Sequence, residues 1–187
     1  MATARPLRAD ARRNYDRLLA AAEAALNAHG AQAVLDDIAK AAGVGNATLY
    51  RHFPTRQKLI EAVYDQRIGL LCATAAELAG TEPPGEALLA WLRTVAAHIT
   101  GSRMLAEAFA AAYEGPAGVE PPPVAAWHRA LAEAAIPLLT AAREAGAIRP
   151  DIDAVELLAL TAAVTRAGSP AQAGRFLDLL LEGLAPR

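Results

Sequence analysis

Residues 35–53, Leu-Asp-Asp-Ile-Ala-Lys-Ala-Ala-Gly-Val-Gly-Asn-Ala-Thr-Leu-Tyr-Arg-His-Phe, leave this chain few choices. Leu35, Ile38, Ala39 and Ala42 recur at helical spacing, so one face of a short helix is apolar. Gly43 follows at once, where a left-handed helix C-cap favours glycine. Val44 is an apolar plug for the turn. A second short helix is expected from about Asn46 to His52. Leu49 and Phe53, four apart, point the same way and inward. Ala47, Thr48, Tyr50 and Arg51 then fall on the opposite arc or its flanks, with Asn46 in the first turn.

That outward arc has a recognisable chemistry. Ala47 is small and lets the helix approach a surface closely. Asn46 and Thr48 can meet base edges, and Arg51 can donate two hydrogen bonds to a guanine. Tyr50 and His52 can reach phosphate oxygens, which position a protein without reading sequence. Two helices at a steep angle, the second facing outward, make a helix-turn-helix. The plainer alternative is a hairpin buried in an all-α core. A buried helix, however, does not place Asn, Thr, Tyr, Arg and His on its free arc.

The segment resembles the DNA-binding region of the tetracycline-repressor (TetR) family of bacterial transcription regulators. The matching residues are Asp37-Ile38-Ala39, Ala42-Gly43-Val44, Thr48-Leu49-Tyr50-Arg51-His52-Phe53 and Thr55-Arg56-Gln57-Lys58-Leu59. The resemblance covers roughly residues 10 to 65. Two positions depart from the family pattern. Val34 stands where Thr or Ser usually caps the first of the two helices, often with a phosphate contact. Gly45 stands where Ser usually precedes the recognition helix.

The rest of the chain reads as helices around this unit. Alanine and leucine dominate, and nothing alternates with period two for long, which argues for an all-α fold of about nine helices. A first helix from about Asp10 to His29 has Tyr15, Leu18, Leu19, Ala22 and Leu26 on one stripe and completes a three-helix unit. Pro54 stops the recognition helix, and Thr55 caps a fourth helix reaching about Ala79. Arg56 and Lys58 lie in its first turn, where basic charge opposes the helix dipole unless a phosphate binds there. The expected organisation is a DNA-binding domain over 1–54, a connecting helix over 55–80 and a larger domain over 81–187. Further helices are expected near 86–100, 102–113, 124–145 (with Pro137 inside), 153–167 and 170–184, with a loop at 115–123.

Charge agrees with this layout. Residues 1–67 hold ten Lys or Arg against seven Asp or Glu, whereas residues 68–187 hold eight against thirteen. Arg5, Arg8, Arg12 and Arg13 make a basic arm. Such asymmetry turns the N-terminal end toward a polyanion.

The last two helices are apolar over most of their circumference. Leu157, Leu160 and Val164 lie on one side of the first, and Phe176, Leu177, Leu180, Leu181 and Leu184 crowd the second. A helix of that kind must be covered on most sides. Pairing with a second copy about a two-fold axis provides the cover, and a fully internal hairpin is the other solution. The resemblance implies the first, a homodimer built on a four-helix bundle. It also implies a pocket for a small apolar ligand, for which Trp91, His98, Met104, Phe109, Tyr113 and Trp127 are the candidate lining.

Other functions find little support. The four histidines and the single Cys72 show no zinc-ligand spacing, and neither a nucleophile elbow nor a phosphate-binding glycine loop is present. No metal, cofactor or catalytic residue is expected. No apolar run is long enough for a membrane span, and one cysteine gives no intrachain disulfide, so the expected compartment is the cytoplasm. The expectation is a regulator of transcription, a repressor whose two recognition helices enter successive major grooves of a pseudo-palindromic DNA operator until a ligand releases it. Asn46, Ala47, Thr48, Tyr50, Arg51, His52, Arg56 and Lys58 would form the DNA contact. The alternatives are a ligand-independent DNA-binding protein and a small all-α enzyme.

Overall fold

The computed structural model describes residues 4–112, 119–167 and 170–186, and every regular element among them is helical. Helix α1 spans Ala4–His29 and runs into a single 3-10 turn, Gly30–Gln32. Helices α2 (Leu35–Ala41) and α3 (Asn46–His52) follow, then α4 (Arg56–Thr81) and α5 (Pro84–Gly101). Helices α6 (Arg103–Ala112), α7 (Pro122–Glu144), α8 (Ala154–Arg166) and α9 (Pro170–Glu182) complete the order.

Most boundaries fall where local chemistry puts them. Gly43 has φ 65° and ends α2 in the left-handed region. Its neighbour's amide, Val44 N–H, donates to the Ala39 carbonyl at 3.0 Å. Thr55 caps α4 by accepting from the Lys58 amide at 3.2 Å. Asp153 and Glu156 form a reciprocal capping box at the start of α8, with bonds of 2.8 and 3.0 Å. Several boundaries differ from expectation by two residues or more, among them two helix starts. Helix α1 begins at Ala4 rather than near Asp10, because a proline such as Pro6 is tolerated in a first turn. Helix α7 begins at Pro122, inside the expected loop, because proline suits the first helical positions. Tyr113 and residues 114–118 of that loop lie outside the described residues.

The chain forms two compact units. The first comprises α1, the 3-10 turn, α2, α3, the part of α4 up to Gln66, and α6. Its core is Leu18, Leu19, Ala22 and Leu26 of α1 with Ile38, Ala39, Leu49, Phe53, Leu59, Ile60 and Val63, all buried. Helix α6 packs against α1 and the 3-10 turn, and so belongs with the helix-turn-helix. Gly30 makes that possible: its φ is 52°, and a Cβ there would sit 2.9 Å from the Met104 side chain.

The second unit comprises the rest of α4 with α5, α7, α8 and α9. Trp91 is its anchor, 0% exposed, with its indole N–H donating to the Leu71 carbonyl at 2.9 Å. Leu88, Leu92, Val95, Leu138, Leu139 and Leu157 are buried in the same unit. Two buried hydroxyls, Thr161 and Thr165, donate to the carbonyls one turn back at 2.8 and 2.6 Å, which satisfies them without a partner helix.

Candidate nucleic-acid interface

Helix α3 is held from below and free above. Leu49 and Phe53, only 1% and 3% exposed, pin it to the core of the first unit. Tyr15 of α1 braces its C-terminal end, with ring centroids 5.2 Å from Phe53 and 5.8 Å from His52. On the other arc Asn46, Ala47, Tyr50 and Arg51 are exposed, and Thr48 is half-buried. Five of the eight expected contact residues are thus presented together on one short helix.

The other three are placed differently. His52 is half-buried, and its Nε2 is buried without a hydrogen-bond partner. That leaves Nδ1 as the nitrogen a phosphate could meet. Arg56 turns back into the protein. Its Nη1 donates to the Ala33 carbonyl at 2.5 Å, and its Nη2 donates to those of Gly30 and Ala31 at 3.1 and 3.0 Å. These carbonyls belong to the turn after α1, so the guanidinium caps that turn. Lys58 stays largely exposed while its Nζ donates to Glu61 at 2.6 Å. The hydrogen bond that Lys58 donates to Glu61, and the charge of that carboxylate, hold the Lys58 ammonium above the ordinary lysine pKa, so it remains cationic. Gln57 donates to the other Glu61 oxygen at 2.7 Å.

Both helix starts that depart from the family pattern lack a side-chain cap. Val34, before α2, is extended with φ −94° and ψ 129° and is 54% exposed. Gly45, before α3, is extended with φ −77° and ψ 152°. Neither start has a side-chain hydrogen bond to its free amides. Val34→Thr places an acceptor of nearly the same shape at a cap position. We expect a gain of about 1 kcal/mol, read as a higher midpoint in urea unfolding with an unchanged slope.

Two residues of this surface escaped the sequence reading. Tyr15 was assignable only to an apolar stripe, yet it supports the recognition helix. Asp36 accepts a hydrogen bond from Asn46 Nδ2 at 2.8 Å. No spacing rule connects residues on two helices across a turn.

The C-terminal helices carry the second candidate surface. Helices α8 and α9 lean on each other and on α5. That packing buries Leu157, Leu177, Leu181 and Leu184 inside the chain, at 0–6% exposure. These four of the expected dimer-interface residues are thus already covered within one chain. Leu160 and Leu179 stay 43% and 55% exposed, and Val164, Phe176 and Leu180 are half-buried. An open groove between the two helices is walled mostly by apolar residues, Ala159, Leu160, Ala163, Leu179 and Leu180, with Arg149, Asp151 and Glu156 also in its lining.

The expected ligand-lining residues fall in both units. Trp91 and Trp127 are buried and His98 is half-buried in the second unit. Phe109, in the first, meets Tyr64 edge-on at 6.0 Å. Met104, 38% exposed, lies over Gly30. Tyr113 is outside the described residues. Trp91, with every face packed and its N–H bonded, has the contacts of a core residue.

Comparison with known proteins decides the family. Residues 18–63 match the profile of bacterial regulatory proteins of the tetR family, and residues 83–186 match that of the SbtR-like transcriptional regulator C-terminal domain. A TetR transcriptional regulator from Streptomyces coelicolor is 38% identical, with a TM-score of 0.75 over 91% of this chain and 98% of its own. This chain belongs to the TetR family. A second TetR regulator, from Mycobacterium vanbaalenii, is 34% identical with a TM-score of 0.72, over 96% of this chain and 99% of its own. A γ-butyrolactone receptor shares the fold at 21% identity and a TM-score of 0.61, over 94% of this chain and 90% of its own. Comparison with curated proteins returns no match. As a TetR-family member the protein is a DNA-binding regulator of transcription, in a family that binds operators, usually as dimers. Among the described residues no helix is long and apolar enough to cross a membrane.

Proposed function

We propose that this TetR-family regulator is a homodimeric repressor that reads a pseudo-palindromic DNA site with α3 and leaves it when a small apolar ligand binds. The observation behind the DNA reading is the split of α3 into a pinned face and a free polar arc. Asn46, Thr48 and Arg51 are the base-reading candidates, and Ala47 permits close approach. Tyr50, Lys58 and the remaining nitrogen of His52 are the phosphate candidates. Arg56 serves the same surface indirectly, by holding the turn after α1.

The open groove between α8 and α9 supports the dimer reading. Leu160, Val164, Phe176, Leu179 and Leu180 form an apolar face that a second copy of the same face would cover about a two-fold axis. The ligand reading draws on the family and on the apolar side chains of α5 and α7, with His98 and Trp127 as the candidates of the second unit. A ligand can release DNA only by favouring one of two arrangements, and coupling of about 1–3 kcal/mol is typical.

Gel-shift titration of DNA recovered by genome-wide selection tests the core of this reading. Arg51→Ala should relax preference at one base pair, by about tenfold or more. Tyr50→Phe should weaken binding to all sequences by about fivefold, the effect of one phosphate hydrogen bond. Unchanged binding in both variants would overturn the assignment of α3.

A further inference from the structure

We infer that Asp36 is a positioning residue for base recognition: it holds the Asn46 amide in one orientation and thereby sets which base Asn46 reads. The inference rests on α3 being the DNA-reading helix. Its basis is the 2.8 Å hydrogen bond between the first turn of α2 and the first turn of α3, both residues exposed.

A carboxylate can only accept. The Asn46 atom facing Asp36 is therefore the nitrogen, because a flipped amide would set two oxygens against each other. One N–H is used by Asp36. With Asp36 on the N–H anti to the carbonyl oxygen, the arrangement proposed, the second N–H and that oxygen lie side by side on one edge of the amide. That donor–acceptor pair matches adenine, which offers N7 as acceptor and N6–H as donor in the major groove. An amide free to rotate would present the same groups in either order. The hydrogen bond leaves one order and lowers the entropy lost when the base is met.

The charge of Asp36 adds a second effect. A carboxylate beside the base-reading edge repels phosphates on every sequence alike, whereas the oriented amide favours one base pair. The two effects together widen the gap between specific and non-specific binding, and the gap is the quantity a regulator needs. At the start of α2 the same carboxylate also faces the positive end of the helix dipole, so its placement is not a burden on folding.

The test is binding to a pool of random DNA duplexes, with the bound fraction sequenced, at two salt concentrations. The proteins are wild type, Asp36→Ala, Asp36→Asn, Asn46→Ala, Asp36→Ala/Asn46→Ala and Arg51→Ala. Wild type should prefer adenine at one position per half-site. Asp36→Ala should lose about tenfold of that preference and bind the unselected pool about threefold more tightly. Asp36→Asn removes the charge and keeps an acceptor, so it should gain the same affinity for the pool while losing less of the preference. It also serves as the folded control, checked by thermal melting. In the Asn46→Ala background, Asp36→Ala should change the base profile no further. A base profile unaltered by Asp36→Ala overturns the inference, as does an equal loss with and without Asn46. If Arg51→Ala alters the profile while Asp36→Ala does not, only this inference falls. If neither does, the reading of α3 falls with it.

Discussion

Leu160→Glu should convert the protein to a monomer and lower its affinity for a two-half-site operator by a hundredfold or more. The side chain is 43% exposed in the single chain and lines the groove between α8 and α9. Glutamate there meets water in a monomer, so the fold should survive. In a two-fold dimer the same substitution appears twice in one apolar contact. Each buried carboxylate would cost several kcal/mol without a partner, more than such an interface can absorb. Operator binding suffers next, because two linked reading heads gain roughly 10²–10⁴ in affinity over one. Analytical ultracentrifugation reads the first effect, as a species near 19.5 kDa in place of twice that mass. Gel shift reads the second, and Leu160→Met should leave both at wild-type values. A Leu160→Glu protein that sediments as wild type would show that the groove is covered by something else or by nothing.

The sequence was most informative where one residue type answers one local demand. Gly43 had to end α2 because a left-handed cap favours glycine, and its φ of 65° agrees. Leu49 and Phe53 had to face inward because they share a helical face. The TetR family was legible from the same stretch, since a run of side chains along one short helix is contiguous in the chain. What periodicity could not separate was a helix face turned to its own neighbours from one turned outward. Leu157 and Leu160 sit on one side of α8, yet one is 0% and the other 43% exposed. The difference depends on where α5 and α9 lie, which is a tertiary matter. The place of α6 beside α1 is of the same kind, because nothing local in 103–112 names its partner. Side-chain direction was the other blind spot. Arg56 and Lys58 are two residues apart on α4, and each looked suited to phosphate. The structure sends one guanidinium into backbone carbonyls and leaves one ammonium near solvent beside Glu61.

That difference makes Arg56→Ala the sharpest remaining test of how this surface is built. A guanidinium bonded to the carbonyls of Gly30, Ala31 and Ala33 joins the start of α4 to the end of α1. Hydrogen bonds from a charged donor contribute about 1.5–3 kcal/mol each, though three on one group do not add fully. Alanine should therefore destabilise the protein by about 2–4 kcal/mol, a fall in Tm of about 5–12 °C for a chain of this size. Arg56→Lys should recover little of it, since an ammonium lacks the planar fork that reaches several carbonyls at once. The opposite pattern belongs to a phosphate contact. In that case Tm would hold, and the dependence of operator binding on salt would lose about one unit of slope. Lys58→Ala supplies the comparison within the same protein: a slope reduced by about one, from a residue whose side chain is 61% exposed and whose ammonium stays charged. If Arg56→Ala instead behaves as Lys58→Ala does, the guanidinium leaves the turn for the DNA on binding, and α4 is fastened to α1 by apolar packing alone.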